Sequence, residues 1–195
     1  MDARKLLDTL AVAERLKDTI RHCYTAKGRP ESVAEHSWMM CLMAFFLRDE
    51  FPGADMYKVM RMCVIHDLGE AFTGDIPAFD KTAADEGREE ELLSRWVEGL
   101  PRDYAGEMQE LYREMAERKS REARIYKAID ALEAVMQHNI SDISTWTENE
   151  YQLNRSYGED KVEFSGYLRE LRQLMREDTD RKIEASGAML PEAGL

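Results

Sequence analysis

Apolar residues recur at intervals of three and four along most of the chain, which is the spacing of amphipathic helices. The pattern begins over residues 3–19, where Leu6, Leu7 and Leu10 are among the apolar positions. Further helices are predicted over residues 32–48, 55 to about 69, 82–98, 101 onward, 120–138 and 160–177. No segment alternates apolar and polar residues for long enough to predict a strand. The sequence therefore predicts an all-α fold, a bundle of about six to eight helices.

The chain length fits one domain. A chain of 195 residues can bury one substantial core but is short for two domains. The bundle is expected to occupy residues 1–180, and residues 181–195 are expected to form a loose tail. The stretch 145–157, TWTENEYQLNRSY, is polar and aromatic, so an irregular segment or a frayed helix is expected there.

Two predicted helices begin with recognisable capping residues. Residues 32–35, SVAE, place a serine and a glutamate three apart, as in a capping box. Asp55 follows Pro52-Gly53 and can accept hydrogen bonds from the first turn of the next helix. These signals place His36 in the first turn of one helix, on its inward side.

The formal charge of −12 changes the range of expected partners. An acidic protein is repelled by nucleic-acid phosphates and by anionic membranes, so neither is expected as the main partner. The segment 21–30 reverses this charge locally, because it carries Arg21, Lys27 and Arg29. It is either a solvated basic loop or part of a site for a small phosphate compound.

Three cysteines and no CxxC pair argue against a disulfide framework, so a reducing compartment is expected. The N-terminal segment carries acidic residues through its apolar part and does not resemble a signal peptide. The longest apolar run, residues 38–47, is too short to span a bilayer. A cytoplasmic protein with no membrane partner is therefore expected.

The segment 64–78, VIHDLGEAFTGDIPA, carries the densest candidate chemistry. Continuing the apolar stripe of its helix brings His66 and Asp67 to the core side, where an unpartnered carboxylate is costly. A divalent cation would remove that cost, since imidazole and carboxylate are both metal ligands. The alternative is a structural hydrogen-bonded pair. Glu70 follows one turn later, and Asp75 lies beyond a Thr-Gly break.

Two further residues could complete such a site. His36 lies 30 residues before His66, so antiparallel helices could bring the two together. A single inward histidine is, however, more often a hydrogen-bonded core residue than a ligand. On the helix over 120–138, periodicity does not distinguish Asp130 from Glu133 as the inward acid.

Five short segments carry a resemblance to a known family. They are Arg21, residues 29–36 (RPESVAEH), 66–70 (HDLGE), 74–77 (GDIP) and 127–132 (KAIDAL). In this order they resemble the HD-domain metal-dependent phosphohydrolases, and most closely the branch that contains 5′-deoxynucleotidases. The resemblance covers about residues 15–140 and implies a homodimer that hydrolyses a small nucleotide substrate.

The resemblance also implies roles for individual residues. It implies one divalent ion (Mn²⁺, Co²⁺, Fe²⁺, Zn²⁺ or Mg²⁺) and the ligands His36, His66, Asp67 and Asp130. It implies that Glu70, Asp75 and Arg21 are catalytic. The residues implied to contact substrate are Arg21, His22, Asp67, Asp75, Ile76, Pro77, Ala78 and Asp130.

One departure concerns the sugar of the substrate. Bacterial relatives have a tryptophan where this chain has His22, and that tryptophan helps to favour the deoxy sugar. A strict deoxy preference is therefore not expected to follow from the resemblance. Two other functions stay open, hydrolysis of another phosphate compound, such as a nucleoside di- or triphosphate or an alarmone, and a non-catalytic scaffold that binds metal or nucleotide.

Overall fold

Helices make up most of the structure, a computed structural model that describes residues 1–77 and 80–187. Within those residues there are eight helices of seven residues or more and two of a single turn. They are α1 Ala3–Ala13, α2 Val33–Phe46, α3 Met56–Ile65, α4 Glu70–Thr73, α5 Ala83–Glu98, α6 Arg102–Glu117, α7 Arg121–Ile140, α8 Glu150–Ser156, α9 Glu159–Val162 and α10 Gly166–Ser186. Short 3-10 turns occupy Glu14–Lys17, Arg48–Glu50 and Ile143–Thr145. The prediction of an all-α bundle is confirmed.

The centre of the core lies where α2, α3 and α7 pack together. Met40 from α2, Met62 from α3 and Ile129 from α7 are fully buried there. The two predicted caps fix the starts of the first two helices. Ser32 and Glu35 form both bonds of the capping box, and the side chain of Asp55 accepts from Lys58 N–H. These caps set the residues at which α2 and α3 begin.

A two-stranded antiparallel hairpin corrects the prediction that the chain has no strand. β1, Ile20–Tyr24, pairs with β2, Pro30–Ser32. Strands this short show no periodicity, and a lone hairpin is marginal in water. Tertiary contacts stabilise this one, because β1 packs on α7 and Gln137 Nε2 donates to Tyr24 O at 2.6 Å. The basic segment is therefore held against the bundle.

The C-terminal helices differ from the predicted boundaries. The stripe over 160–177 is divided between α9 and α10, because the chain breaks helical structure before Ser165, whose side chain caps α10. α10 then continues to Ser186, since Thr179 and Ile183 extend its buried side. Residues 188–195 lie outside the described part, so the division into a domain and a loose tail stays a prediction.

One side of α2 is apolar but faces solvent. Trp38, Phe45 and Phe46 are 59, 45 and 75% exposed, although the opposite side of the helix is buried in the core. We call these three residues the α2 aromatic strip. A helix that is apolar on all sides is usually covered on all sides. No helix among the described residues is long and apolar enough to cross a membrane.

Candidate metal centre and substrate cavity

Four side chains from three parts of the fold converge beside the core. His36 comes from the first turn of α2 and Asp130 from the middle of α7. α3 ends at Ile65 rather than continuing to residue 67, so His66 and Asp67 belong to the tight turn that leads into α4. This turn, rather than a continuous helix, directs both side chains toward α2 and α7.

The candidate ligand atoms lie close together. His66 Nε2 is 2.8 Å from Asp67 Oδ2 and 3.9 Å from Asp130 Oδ1. His36 Nε2 is 3.3 Å from Asp130 Oδ1 and 3.9 Å from Asp67 Oδ2. Bonds of about 2.0–2.2 Å to one cation would separate its ligand atoms by about 3–4 Å. The ligand atoms of His36, His66 and Asp67 all lie within 4.8 Å of one another, and Asp130 Oδ1 approaches both imidazoles. These two imidazoles and two carboxylates form a candidate divalent-metal site, which we call the ligand cluster.

The hydrogen bonds of His66 favour the same assignment. His66 Nδ1 lies 3.0 Å from Cys63 O, which can only accept, so Nδ1 carries the proton. Nε2 is then a lone-pair nitrogen, and it is buried without a hydrogen-bond partner in the described part of the chain. A cation placed between this nitrogen and the two carboxylates would accept the lone pair and balance the negative charge.

The carboxylates of the cluster are held in their charged form. Burial alone would raise the pKa of Asp130, but Lys127 and His36 hold it well below the usual value. Burial likewise opposes a charged Asp67, and contact with a protonated His66, or with a cation in its place, lowers the pKa of Asp67. Metal ligands must be deprotonated, so these two side chains meet that requirement.

A cavity of about 310 Å³ opens onto the cluster. Among the residues predicted to form the site, those that line it are Arg21, His22, His36, Asp67, Glu70, Asp75, Ile76, Pro77 and Asp130. His66 lies in the cluster but does not line the cavity. Ala78 lies outside the described residues. Residues more than 100 positions apart in the sequence, such as Arg21 and Asp130, thus line the same cavity.

Arg21 reaches this cavity from β1 and is held by two buried acids. Its Nη1 donates to Glu31 Oε2 at 2.8 Å and to Glu133 Oε2 at 3.2 Å. Nε and Nη2 take no part in these two bonds, which leaves donors for a ligand in the cavity. A guanidinium fixed on one side in this way can present its planar fork to a phosphate.

Glu70 and Asp75 are candidate proton-transfer groups in the same cavity. Burial, followed by repulsion from Asp67 and Asp75, raises the pKa of Glu70 to about 10. Glu70 Oε2 is buried without a hydrogen-bond partner in the described chain. Burial also raises the pKa of Asp75, although Arg21 opposes the shift. A neutral acid and a carboxylate of increased basicity are suited to general acid–base chemistry.

Sequence reasoning missed the positions of four charged residues around the cavity. Glu31 and Glu133 are buried behind Arg21, and Lys81 and Lys127 line the cavity. Lys127 Nζ lies 2.6 Å from Asp130 Oδ2, which leaves Oδ1 toward the two imidazoles. Glu31 and Lys127 belong to segments that carry the family resemblance, and Glu133 is a carboxylate within the apolar pattern of α7, but neither signal revealed the contacts that these residues make.

The far wall of the cavity contains a second polar cluster. His138 Nδ1 donates to Ala134 O at 2.8 Å, and Nε2 lies 2.7 Å from Glu150 Oε1. Burial opposes a charged ring here, but hydrogen bonds with Cys23 and Glu150 raise the pKa of His138 to about 10. His22 Nε2 lies 3.2 Å from the same Glu150 oxygen. The part of the cavity lining beside His22 is therefore polar.

A comparison with protein families accounts for these features. The model of the HD domain matches residues 13–172. The chain belongs to the HD domain family. The matched region of this HD domain includes the hairpin, the ligand cluster and the described residues predicted to form the site. The predicted resemblance to this family is confirmed.

Similar proteins in other organisms extend the comparison. Human 5′-deoxynucleotidase HDDC2 is 33% identical over 139 residues, which cover 69% of this HD domain chain and 67% of the relative. The 5′-deoxynucleotidase hdd1 of Schizosaccharomyces pombe is 28% identical over 148 residues, covering 70% and 74% of the two chains. A solved structure described as a predicted metal-dependent phosphohydrolase from Magnetospirillum magnetotacticum is 26% identical, with a TM-score of 0.80 and coverage of 92% and 93%.

Proposed function

We propose that this HD domain protein is a divalent-metal-dependent phosphohydrolase that removes the 5′-phosphate from nucleoside and deoxynucleoside 5′-monophosphates. The observation that carries the proposal is the single cavity that joins the ligand cluster to Arg21 and Glu70. The relatives named 5′-deoxynucleotidase support the choice of substrate class. His36, His66, Asp67 and Asp130 would hold the ion, whose identity the ligand types leave open among the five metals considered.

The chain supplies substrate positioning and proton transfer. When bound, a divalent cation supplies positive charge that polarises the phosphoryl group and acidifies water. Arg21 orients the phosphate through the donors that Glu31 and Glu133 leave unused. The wall formed by residues 75–77 contacts the nucleoside, and His22 lies beside the sugar. Burial of the reacting phosphate between these groups strengthens each electrostatic contact.

Glu70 and Asp75 each carry out one of the two proton transfers in the proposed reaction. The oxygen of water bonds to phosphorus while the bond from phosphorus to the 5′ oxygen breaks. Asp75 takes a proton from the water, and Glu70 gives its proton to the leaving 5′ oxygen. The raised pKa of Glu70 keeps that proton available, and a cation in the cluster would lower the pKa toward neutrality.

A substrate panel tests the proposed function. Metal-free protein is loaded separately with Mn²⁺, Co²⁺ or Zn²⁺ and assayed for phosphate release from ribo- and deoxynucleoside 5′-monophosphates. We expect release with at least one ion and none after chelation. A panel of nucleoside 3′-monophosphates is the matched control, and we expect at least about 100-fold slower turnover because the leaving oxygen is misplaced.

The same panel, extended to nucleoside di- and triphosphates and alarmones, separates the two other functions. Release from nucleoside di- or triphosphates or alarmones, with none from monophosphates, would replace the proposal with another HD hydrolase activity. Nucleotide binding without any phosphate release would favour a non-catalytic scaffold. The joint presence of Glu70, Asp75 and Arg21 in the cavity argues against a scaffold, because binding alone does not require a buried proton donor.

His22 is proposed to set the preference between ribose and deoxyribose. His22→Trp places a larger apolar ring against the polar wall near Glu150. We expect the ratio of kcat/KM for dAMP over AMP to rise about tenfold, because a pocket lacking room for the 2′-hydroxyl discriminates on that scale. Tyr24→Trp is the control, since Tyr24 lies on the same strand outside the cavity. An unchanged ratio in His22→Trp would show that this position does not select the sugar.

The protein is further proposed to be a cytoplasmic homodimer. Cys23, Cys41 and Cys63 are free thiols, in keeping with a reducing compartment. The α2 aromatic strip supports self-association, because a two-fold axis can pack one exposed aromatic surface against its own copy. Charged surface elsewhere on this acidic chain would repel a second copy.

Phe46→Glu tests the proposed dimer. It places two like charges near the two-fold axis, so we expect the dimer dissociation constant to rise at least about 30-fold, equivalent to about 2 kcal/mol. Sedimentation velocity across a dilution series measures this shift. Leu174→Glu changes an exposed apolar residue on α10 in the same way and should leave the dissociation constant unchanged. A monomeric wild type, or equal shifts in both variants, would contradict the assignment of this surface.

A further inference from the structure

We propose that Glu133 is a positioning residue that holds His36 in its metal-binding ring orientation and directs Arg21 toward the substrate phosphate. The part that concerns Arg21 rests on the proposed function, whereas the part that concerns His36 depends only on cation binding. Glu133 is not one of the residues that the family resemblance assigns to the site. Its role follows from contacts that α7 makes with α2 and β1.

Glu133 lies fully buried on α7, one turn beyond Asp130. Its Oε2 forms a short hydrogen bond with His36 Nδ1 and accepts from Arg21 Nη1 at 3.2 Å. Oε1 is buried and has no hydrogen-bond partner in the described part of the chain. Both contacts therefore converge on one oxygen, so the imidazole and the guanidinium are fixed relative to each other.

The contact with His36 determines which ring nitrogen faces the cation. A carboxylate accepts, so Nδ1 carries the shared proton and Nε2 is directed at Asp130 Oδ1, 3.3 Å away. Carboxylates that hold a ligating histidine in this way orient the ring and increase its basicity. His66 obtains the same orientation from the neutral carbonyl of Cys63. The Glu133 carboxylate therefore orients His36 as the Cys63 carbonyl orients His66.

Glu31 provides a matched comparison within the chain. Like Glu133 it is buried, and it accepts from Arg21 Nη1, at 2.8 Å. No hydrogen bond joins Glu31 to His36 among the described residues. Glu31→Gln and Glu133→Gln therefore each remove one buried negative charge beside Arg21, but only Glu133→Gln weakens the hold on the imidazole. A purely structural role predicts similar effects from both changes.

The test measures metal affinity without substrate. Metal-free wild type, Glu31→Gln and Glu133→Gln are titrated with Co²⁺ by calorimetry in competition with a chelator. We expect the affinity to fall about 10–100-fold in Glu133→Gln and to stay within about threefold of wild type in Glu31→Gln. Both variants should raise KM for a nucleoside monophosphate. Equal affinities in all three proteins, or equal losses in both variants, would overturn the proposal.

A second measurement uses the unaltered chain and remains decisive if Glu133→Gln does not fold. In Zn²⁺-loaded, ¹⁵N-labelled wild type, long-range ¹H–¹⁵N spectra report the state of each imidazole nitrogen. The proposal requires a proton on His36 Nδ1 and none on Nε2, and the reverse assignment would refute it. Failure of the proposed function has a different signature, since all nucleotides would stay intact while the metal-affinity difference between the variants persisted.

Discussion

Asp67→Ala is expected to abolish both metal binding and phosphate release. The substitution removes a carboxylate whose Oδ2 lies 2.8 Å from His66 Nε2 and 3.9 Å from His36 Nε2. Two buried imidazole nitrogens would then share a single carboxylate, that of Asp130, and the charge that balances a divalent cation would be halved. We expect kcat/KM to fall at least about 1,000-fold, equivalent to about 4 kcal/mol of transition-state stabilisation.

Elemental analysis of the purified variant checks the first half of this expectation, and the phosphate-release assay checks the second. Asp49→Ala is the control, because Asp49 is an exposed aspartate outside the cavity. Circular dichroism establishes that the helices of the variant remain folded. Folded Asp67→Ala that retains one tightly bound ion per chain would show that the cluster is not the metal site. Full activity without bound metal would remove the cation from the reaction altogether.

Glu70→Gln is expected to separate metal binding from turnover. The amide keeps the shape of the side chain but cannot give a proton to the leaving 5′ oxygen. A positioned general acid contributes about 10²–10⁴-fold to rate, so kcat should fall by that factor, or about 3–5 kcal/mol. Metal content should be unchanged, because Glu70 is not in the ligand cluster. KM should also change little, since Glu70 acts on the reacting bond rather than on binding.

Glu86→Gln is the matched control for this experiment. Glu86 is an exposed glutamate at the edge of the same cavity, so the same amide substitution there leaves the buried proton donor in place. Comparable losses of kcat in both variants would show that the loss does not depend on the buried proton donor. Loss of metal from Glu70→Gln would instead make Glu70 part of the cation site, which is a different assignment from proton donor.

The helical framework was predictable because its signals are local. Apolar spacing predicted the core sides of α2, α3 and α7, and capping residues predicted where the first two begin. The two strands of the hairpin were missed because each is too short to show alternation, and because α7 holds them in place. The end of α3 was misplaced for a related reason, since turns after Ile65 replace a helix that the apolar pattern alone would continue.

The sequence by itself determined that this is an all-α protein of the HD domain family and which residue types are available for its chemistry. Only the tertiary structure decided how Asp130 and Glu133 differ. Residues three apart on a helix lie on neighbouring parts of one surface, so periodicity treats the two acids as equivalent. The packing of α2 and β1 against α7 brings Asp130 to both imidazoles and Glu133 to His36 Nδ1 and Arg21. These contacts join residues up to 112 positions apart, and no local pattern in the chain records them.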